Sequence, residues 1–183
     1  MIKIETKIDG AFIIKPIYHD DSRGTFYTSF SREAYTNLGI LNLNIAQMNT
    51  NVSNREVLRG LHYHAGLEAQ AKLVWVTHGK VQDVFVDLRE DSPTFGQWDS
   101  VDLISNGNKL FIPKGCAHGF LTLEDSSEFN YLCSNPWNKE AERTLIWNDP
   151  DININWKNTC DPIISPKDLA GISFKYCEKY REY

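Results

Sequence analysis

The sequence predicts an all-β fold, a barrel or sandwich of short strands with small helices at its edge. Two observations carry this expectation. From about residue 58 onward, short apolar-rich runs follow one another closely: VLRGLHYH, KLVWVTHG, VQDVFVDL, WDSVDLIS, KLFIP, GFLTLE, EFNYLCS and RTLIW. Turn-forming residues separate them, namely Gly79-Lys80, Ser92-Pro93-Thr94-Phe95-Gly96, Asn106-Gly107-Asn108 and Pro113-Lys114-Gly115. Many short strands at such spacing are the mark of sandwiches and barrels. Upstream, AFIIKPIY (11–18) contains a proline, so it reads as an edge strand or a strand end, because proline cannot donate to a ladder. REAYTNLG (32–39) reads as a short helix closing on Gly39. Beyond Lys157 the chain reads as loop, with a short helix expected over 175–181. No repeat or linker interrupts the pattern, so residues 1–183 read as one domain.

Composition narrows the class. Hydrophobic residues make up 42% and charged residues 23%, which excludes global disorder. A chain of this size buries roughly 70% of its unfolded surface, so it needs neither disulfide nor metal to fold. Nineteen Lys and Arg against 24 Asp and Glu leave a net charge of -5. That argues against nonspecific binding to nucleic acid or to a membrane surface, yet allows a local basic pocket for a small anion. No apolar run approaches the roughly 18 residues of a membrane span. The start, MIKIETKIDG, lacks the apolar stretch of a secretory signal. The expected compartment is therefore the cytoplasm, with Cys116, Cys133, Cys160 and Cys177 as reduced thiols.

Period-two alternation places the side chains. In LHYH, His62 and His64 share one face while Leu61 and Tyr63 share the other. In EFNYLC, Phe129, Tyr131 and Cys133 face together. In KLVWV, Lys72 shares a face with Val74 and Val76. If that row is the barrel interior, Lys72 points inward too, which is costly unless the ammonium has a partner or a task. A lysine snorkelling from a strand end fits the pattern equally well.

Two short motifs bring in chemistry, His62-x-His64-x-x-x-Glu68 and Pro113-x-Gly115-x-x-His118. Together they resemble the metal-binding motifs of cupins, small double-stranded β-helix barrels, and the ligand types suit iron, manganese, nickel or zinc. The spacing speaks against a metal. Counting back from Gly79, the slot of the cupin carboxylate is held by Lys72, and Glu68 falls in AGLEAQA, which has no strand pattern. A cation there would repel a divalent metal. The expectation is a site with no metal and no other cofactor.

With that substitution a longer series of motifs lines up: RG-x-F (23–26), Q-x-N (47–49), LRGLH (58–62), AKLVWV (71–76), DLREDSPTFGQW (87–98), IPKGCAHGF (112–120), EFNY (128–131) and WNDP (147–150). From about Asp20 to Asp168 the chain resembles the nucleotide-sugar 3,5-epimerase family. The resemblance implies a cupin-like jelly-roll barrel, a metal-free homodimer, and a nucleotide-diphospho-4-keto sugar as substrate in surface polysaccharide or capsule biosynthesis. The C3 and C5 protons of such a sugar flank the ketone, so epimerisation needs a base, a stabiliser of the enolate oxygen and a proton donor. His62 suits the base, since imidazole titrates near neutrality. The resemblance implies Asp168 as the carboxylate that orients it; from the residues alone, Asp168 reads as the cap of the segment DLAG. Lys72 matches the family's inward lysine, suited to an enolate oxygen. His118 matches the second histidine, although a hydrogen-bonded core histidine reads alike. Tyr131 matches the proton donor, although Phe129 beside it also suits an aromatic core. Its phenol favours reaction at both carbons over a 3-epimerase or a 3,4-ketoisomerase of the same fold.

Binding roles follow from the same resemblance. Arg23 and Arg59 match positions that hold the diphosphate, which guanidinium forks suit. Phe26, Gln47, Asn49, Glu142 and Lys167 match further binding positions. Trp137 sits where the family places an aromatic that stacks on the base. Three residues depart from the pattern. Thr28 and Met48 replace acidic residues expected at the nucleotide end, and His64 stands two residues after the base as a further catalytic or substrate-contacting candidate. These departures leave the nucleotide open between dTDP and GDP, and the sugar open between a 6-deoxyhexose and a heptose.

Overall fold

The computed structural model describes residues 1–40, 44–157 and 161–181. Cys160, expected as a reduced thiol, lies outside them, while Cys116, Cys133 and Cys177 are free and buried. In chain order the elements are β1 (Ile2–Glu5), β2 (Phe12–Lys15), β3 (His19–Asp21), β4 (Gly24–Phe26), α1 (Arg32–Asn37), β5 (Gln47–Ser53), β6 (Val57–His64), β7 (Lys72–His78), β8 (Lys80–Asp87), β9 (Trp98–Ile104), β10 (Lys109–Ile112), β11 (Cys116–Thr122), β12 (Ser127–Cys133), β13 (Glu142–Thr144), β14 (Ile163–Ile164) and α2 (Pro166–Leu169). Strands order as β1-β2-β10-β7-β12-β5 in one sheet and β13-β6-β11-β8-β9 in the other, with β14 parallel to β6. This is the cupin-like jelly roll expected from the sequence. The β3–β4 hairpin pairs only with itself.

Three apolar clusters explain the layering. Val74, Val76, Val81, Phe85, Leu110, Phe120 and Phe129 come from both sheets and fill the space between them. Leu61, Tyr63, Val84 and Val86 face outward from the second sheet and are covered by Ile152, Phe174 and Cys177 of the C-terminal segment. Phe12, Ile14 and Leu73 face outward from the first sheet and are covered by Tyr35 and Ile40. Strand β8 is therefore buried on both faces, which is why VQDVFVDL reads as a nearly continuous apolar run. Helix α1 begins at the Ser31 cap and ends against Gly39 at φ 89°, as its sequence signals required.

Three features differ from expectation. Strand β2 does end just before Pro16, but it lies inside its sheet between β1 and β10, not at the edge. Strand β5 was hidden by its polarity: Met48 and Val52 face outward, and the partly buried positions are Gln47, Asn49 and Asn51. No helix forms over 175–181. There the backbone pairs with β8's continuation, Tyr180 N–H donating to the Leu88 carbonyl (2.9 Å) and Glu90 N–H to the Tyr180 carbonyl (3.1 Å), while Cys177 is buried against the sheet. The helix of the tail is α2 instead, capped by Ser165 with Pro166 in its first turn. Among the described residues, no helix is long and apolar enough to cross a membrane.

Strands β6 and β11 approach most closely where two glycines face each other. A Cβ on Gly60 would lie 2.7 Å from the Gly119 Cα, and one on Gly119 would lie 2.5 Å from the Arg59 carbonyl oxygen. Since both obstacles are backbone, a Gly119→Ala substitution should lower stability by about 1–3 kcal/mol, the usual cost of overpacking. Urea unfolding measures this, and an unchanged midpoint would show that the two strands have slack.

Candidate active site

Between the sheets, at one end of the barrel, lies a cavity of about 620 Å³. Alternation on β6 turns His62 and His64 into it, while Leu61 and Tyr63 enter the outer apolar cluster. On β12 the same rule brings Phe129, Tyr131 and Cys133 to the cavity wall. Lys72 opens β7 with its side chain inward and is 7% exposed.

Asp168 arrives from the far end of the chain. Ser165 caps α2 by accepting from the Asp168 N–H (3.1 Å), and β14 runs parallel to β6 just before it. The short helix thereby sets the carboxylate against β6. Its Oδ1 lies 2.6 Å from His62 Nε2, and its Oδ2 accepts from the Gly60 N–H at 3.1 Å. Ser165, not Asp168, is therefore the helix cap. Burial alone would raise the Asp168 carboxyl, but the hydrogen bonds from His62, Gly60 and Ser165 outweigh it and hold the group below the usual carboxylate range. The imidazole of the pair keeps 29% of its side chain exposed toward the cavity, while the carboxylate keeps 5%.

A second imidazole–carboxylate pair lies deeper. His118 Nε2 sits 2.9 and 3.2 Å from the two Asp83 oxygens, and both residues are buried. The Lys72 Nζ donates to the His62 carbonyl at 3.3 Å. Burial pushes the Lys72 ammonium downward, against the nearby Cys133, Asp83 and Glu142. Burial likewise raises the Asp83 carboxyl, against His118 and Lys72. Asp83 was not singled out from the sequence, although a signal existed. It shares the inward face of β8 with Val81 and Phe85, the same argument that marked Lys72. The Tyr131 phenol is raised by burial and by Cys133; a hydrogen bond with Asn51, also unanticipated, and the Arg59 charge act the other way.

At the mouth, Gln47 Nε2 donates to Asn49 Oδ1 (2.8 Å), and Gln47 Oε1 accepts from the Trp137 N–H (2.8 Å). Arg59 lines the cavity and donates to Ser53 Oγ (3.1 Å). Trp137 is 54% exposed there. Glu142 is bound to Lys167 at 2.6 Å; burial would raise its carboxyl, but hydrogen bonds from Lys167 and the Trp137 side chain hold it low.

Other expected residues are not brought to this cavity. Arg23 and Phe26 lie on the exposed β3–β4 hairpin, Arg23 bound to Asp21 at 2.6 Å, and neither lines the cavity of its own chain. Glu68 sits on a 3-10 turn (Gly66–Glu68) outside the cavity wall. Among the described residues, no group of three or more His, Cys, Asp or Glu is placed to hold a metal ion. Thr28 is exposed, and Met48 points to the opposite side of β5 from Gln47 and Asn49. Contrary to expectation, neither departure touches the cavity of its own chain, because alternation turns Met48 outward and Thr28 follows the detached hairpin.

The depressed Asp168 carboxyl makes a stability prediction. A group with a lowered folded-state pKa contributes stability that is present above the ordinary carboxylate range and lost as pH falls through the folded value. Acidification below that range should weaken the wild-type fold, and Asp168→Asn should remove part of this dependence. Urea unfolding as a function of pH reads it; parallel curves for the two proteins would show that the pair contributes nothing.

Comparison with known proteins places this geometry. The family model of dTDP-4-dehydrorhamnose 3,5-epimerase matches residues 5–176. A relative of that name from Escherichia coli (strain K12) is 45% identical over 167 residues, covering 90% of each chain. One from Neisseria gonorrhoeae is 44% identical over 96% of this chain, which spans only 53% of that relative's length. The crystal structure of dTDP-4-dehydrorhamnose 3,5-epimerase from Elizabethkingia anophelis NUHP1 superposes with a TM-score of 0.92 at 41% identity, covering 96% of this chain and 97% of that one. The Legionella pneumophila enzyme, solved with dTDP-4-keto-L-rhamnose, gives 0.88 at 39% identity over 99% of both chains. ChmJ, a 3'-monoepimerase from Streptomyces bikiniensis solved with dTDP-quinovose, gives 0.84 at 32% identity over 92% and 85%. At these levels of identity and coverage, the chain belongs to the dTDP-4-dehydrorhamnose 3,5-epimerase family.

Proposed function

We propose that this chain, as the single domain 1–183, inverts C3 and C5 of a dTDP-linked 4-keto-6-deoxy sugar through an enolate. The observation that carries the reading is the His62–Asp168 pair at 2.6 Å in the same cavity as the Tyr131 phenol and the buried Lys72. His62 takes the proton beside the ketone, and Asp168 fixes the ring's tautomer and stabilises the imidazolium that forms. With Nε2 on Asp168, Nδ1 is the nitrogen left for the substrate. Lys72 faces the ketone oxygen, where a desolvated ammonium stabilises the developing charge most strongly. Tyr131, protonated at neutral pH, returns a proton to the enolate carbon. His118, held by Asp83, lies beside Lys72 and contacts the sugar. Arg59, Gln47 and Asn49 take the nucleotide diphosphate end, and Trp137 offers its face to the base. Glu142 and Lys167, bound to each other, shape the mouth. The relatives solved with dTDP-sugars support dTDP over GDP, and Met48 faces away from the side of β5 that carries Gln47 and Asn49.

The hairpin position of Arg23 and Phe26 supports a homodimer in which each protomer supplies these residues to its partner's cavity. A second reading, a monoepimerase acting at C3 alone, is favoured by the likeness to ChmJ, a 3'-monoepimerase. Incubating the protein with dTDP-4-keto-6-deoxyglucose in deuterated water separates the readings by proton NMR. Deuterium at both C3 and C5 is the expected result; exchange at C3 alone supports the second reading, and exchange at neither carbon rejects both. A GDP-4-keto sugar in parallel tests the nucleotide.

His62→Ala should abolish exchange at both carbons, whereas Asp168→Asn should leave binding largely intact and slow turnover. Tyr131→Phe should reduce net epimerisation by about 100- to 10,000-fold. Wash-in of deuterium should survive better, because His62 still forms the enolate and can return a proton to the original face. Equal loss of exchange and inversion in a folded Tyr131→Phe protein would reject the donor role. Mixing inactive Arg23→Ala and His62→Ala proteins should restore about a quarter of wild-type activity, since half of the exchanged two-fold dimers then carry one complete site. No recovery after subunit exchange would place Arg23 outside the partner's cavity.

A further inference from the structure

His64 is the departure from the family pattern that does reach the cavity. Its ring lines the wall and is 6% exposed. Its Nε2 lies 3.3 Å from the backbone nitrogen of Asn138. A backbone N–H only donates, so Nε2 accepts and carries no proton. The neutral ring then bears its proton on Nδ1, which is buried and has no hydrogen-bond partner in the chain. Burial and then the Lys72 ammonium push this imidazole down to about 4, against the pull of Glu142. Near pH 7 the ring is neutral, with one hydrogen bond to fix its orientation.

That bond reaches the loop between β12 and β13 next to its exposed aromatic. The neighbouring amide, of Trp137, is held at 2.8 Å by Gln47 Oε1. Two consecutive amides are thus pinned by two cavity-wall side chains, one from β5 and one from β6. Glu142, whose carboxyl the neighbouring Trp137 helps to hold low, pairs with His64 in the β6–β13 register. We infer that His64 is a positioning residue for nucleotide binding: it acts through the Asn138 amide to hold the Trp137 loop over the cavity mouth, and takes no part in proton transfer. The inference rests on the reading that this cavity binds a nucleotide-sugar. It replaces the catalytic alternative for His64 with a role in which an acceptor, not an acid or a base, is required.

The test uses His64→Leu and His64→Gln in the full chain. Leucine leaves the Asn138 amide unpaired; glutamine offers an oxygen to it. His64→Leu should weaken dTDP binding by calorimetry, and raise KM for the dTDP-4-keto sugar, by about 5- to 150-fold, with a much smaller change in kcat. His64→Gln should recover most of the loss. In a Trp137→Ala background, His64→Leu should add little, because the ring it positions is gone. Loss confined to kcat, equal impairment of both variants, or full additivity with Trp137→Ala would overturn the inference. Should His64→Leu fail to fold, nitrogen NMR of the wild-type imidazole decides: an unprotonated Nε2 and protonated Nδ1 across pH 6–8 support the latch, and a protonated Nε2 rejects it. Wild-type protein that neither binds dTDP nor exchanges deuterium would defeat the functional reading itself, and the tautomer read from the same sample keeps the two failures apart.

Discussion

A buried ammonium must be given a counter-charge, and much of this barrel's interior follows from Lys72. Removing an isolated ion from water costs several kcal/mol even after relaxation. The Asp83 carboxylate, buried on β8 and bonded through both oxygens to His118, is one of the nearby groups that favour the charge. Lys72 also donates to the His62 carbonyl, so the charge is anchored to the strand that carries the proposed base. Removing Asp83 or His118 would leave the other without this hydrogen-bond partner. Phe120, stacked on Phe129 at a centroid distance of 4.2 Å, adds apolar wall to the same cavity. Electrostatic groups in such a setting act more strongly on a developing negative charge than they would in solvent.

The second organising fact is the division of labour between barrel and tail. Four of the side chains given roles in the proposed reaction, His62, Lys72, His118 and Tyr131, project from strands whose register is fixed by ladders on both sides. Asp168 instead arrives on a four-residue helix 106 positions from His62. The tail can bring it there because β14 adds to the edge of β6 and the later segment buries Phe174 and Cys177 on the outer face of the sheet. The orientation of the imidazole thus depends on docking of the C-terminal segment. Rigid strands supply distance and the docked tail supplies direction.

The mouth of the cavity is built differently. Its aromatic, Trp137, is exposed and belongs to a loop, and loops adapt more readily than strands. Side chains from two strands hold this one, Gln47 and His64, through consecutive amides. The deep side chains are placed by strand register, and the exposed aromatic at the mouth by side-chain hydrogen bonds to a loop.

Much of this was legible in the residues themselves. Turn signals and apolar runs marked the strands from β6 to β12, because both are local properties of the chain. Alternation put His62 beside His64, Tyr131 beside Phe129, and Lys72 among valines, because side-chain direction in a strand has period two. Where local pattern and tertiary environment part, the reading failed. Strand β5 looked polar because its inner face borders a wet cavity, and the helix expected over 175–181 gave way to pairing with residues 88–90. Asp83 passed unnoticed inside a run whose apolar neighbours on both faces concealed its direction. By itself the sequence determined which residues lie on which face of which strand, and with the family motifs the chemistry those faces suit. Only the tertiary structure decided that Asp168 meets His62, that Asp83 answers Lys72 and His118, that Arg23 lies away from its own cavity, and that His64 grips a loop. Each of these depends on how separate segments are placed relative to one another, and no local pattern encodes that placement.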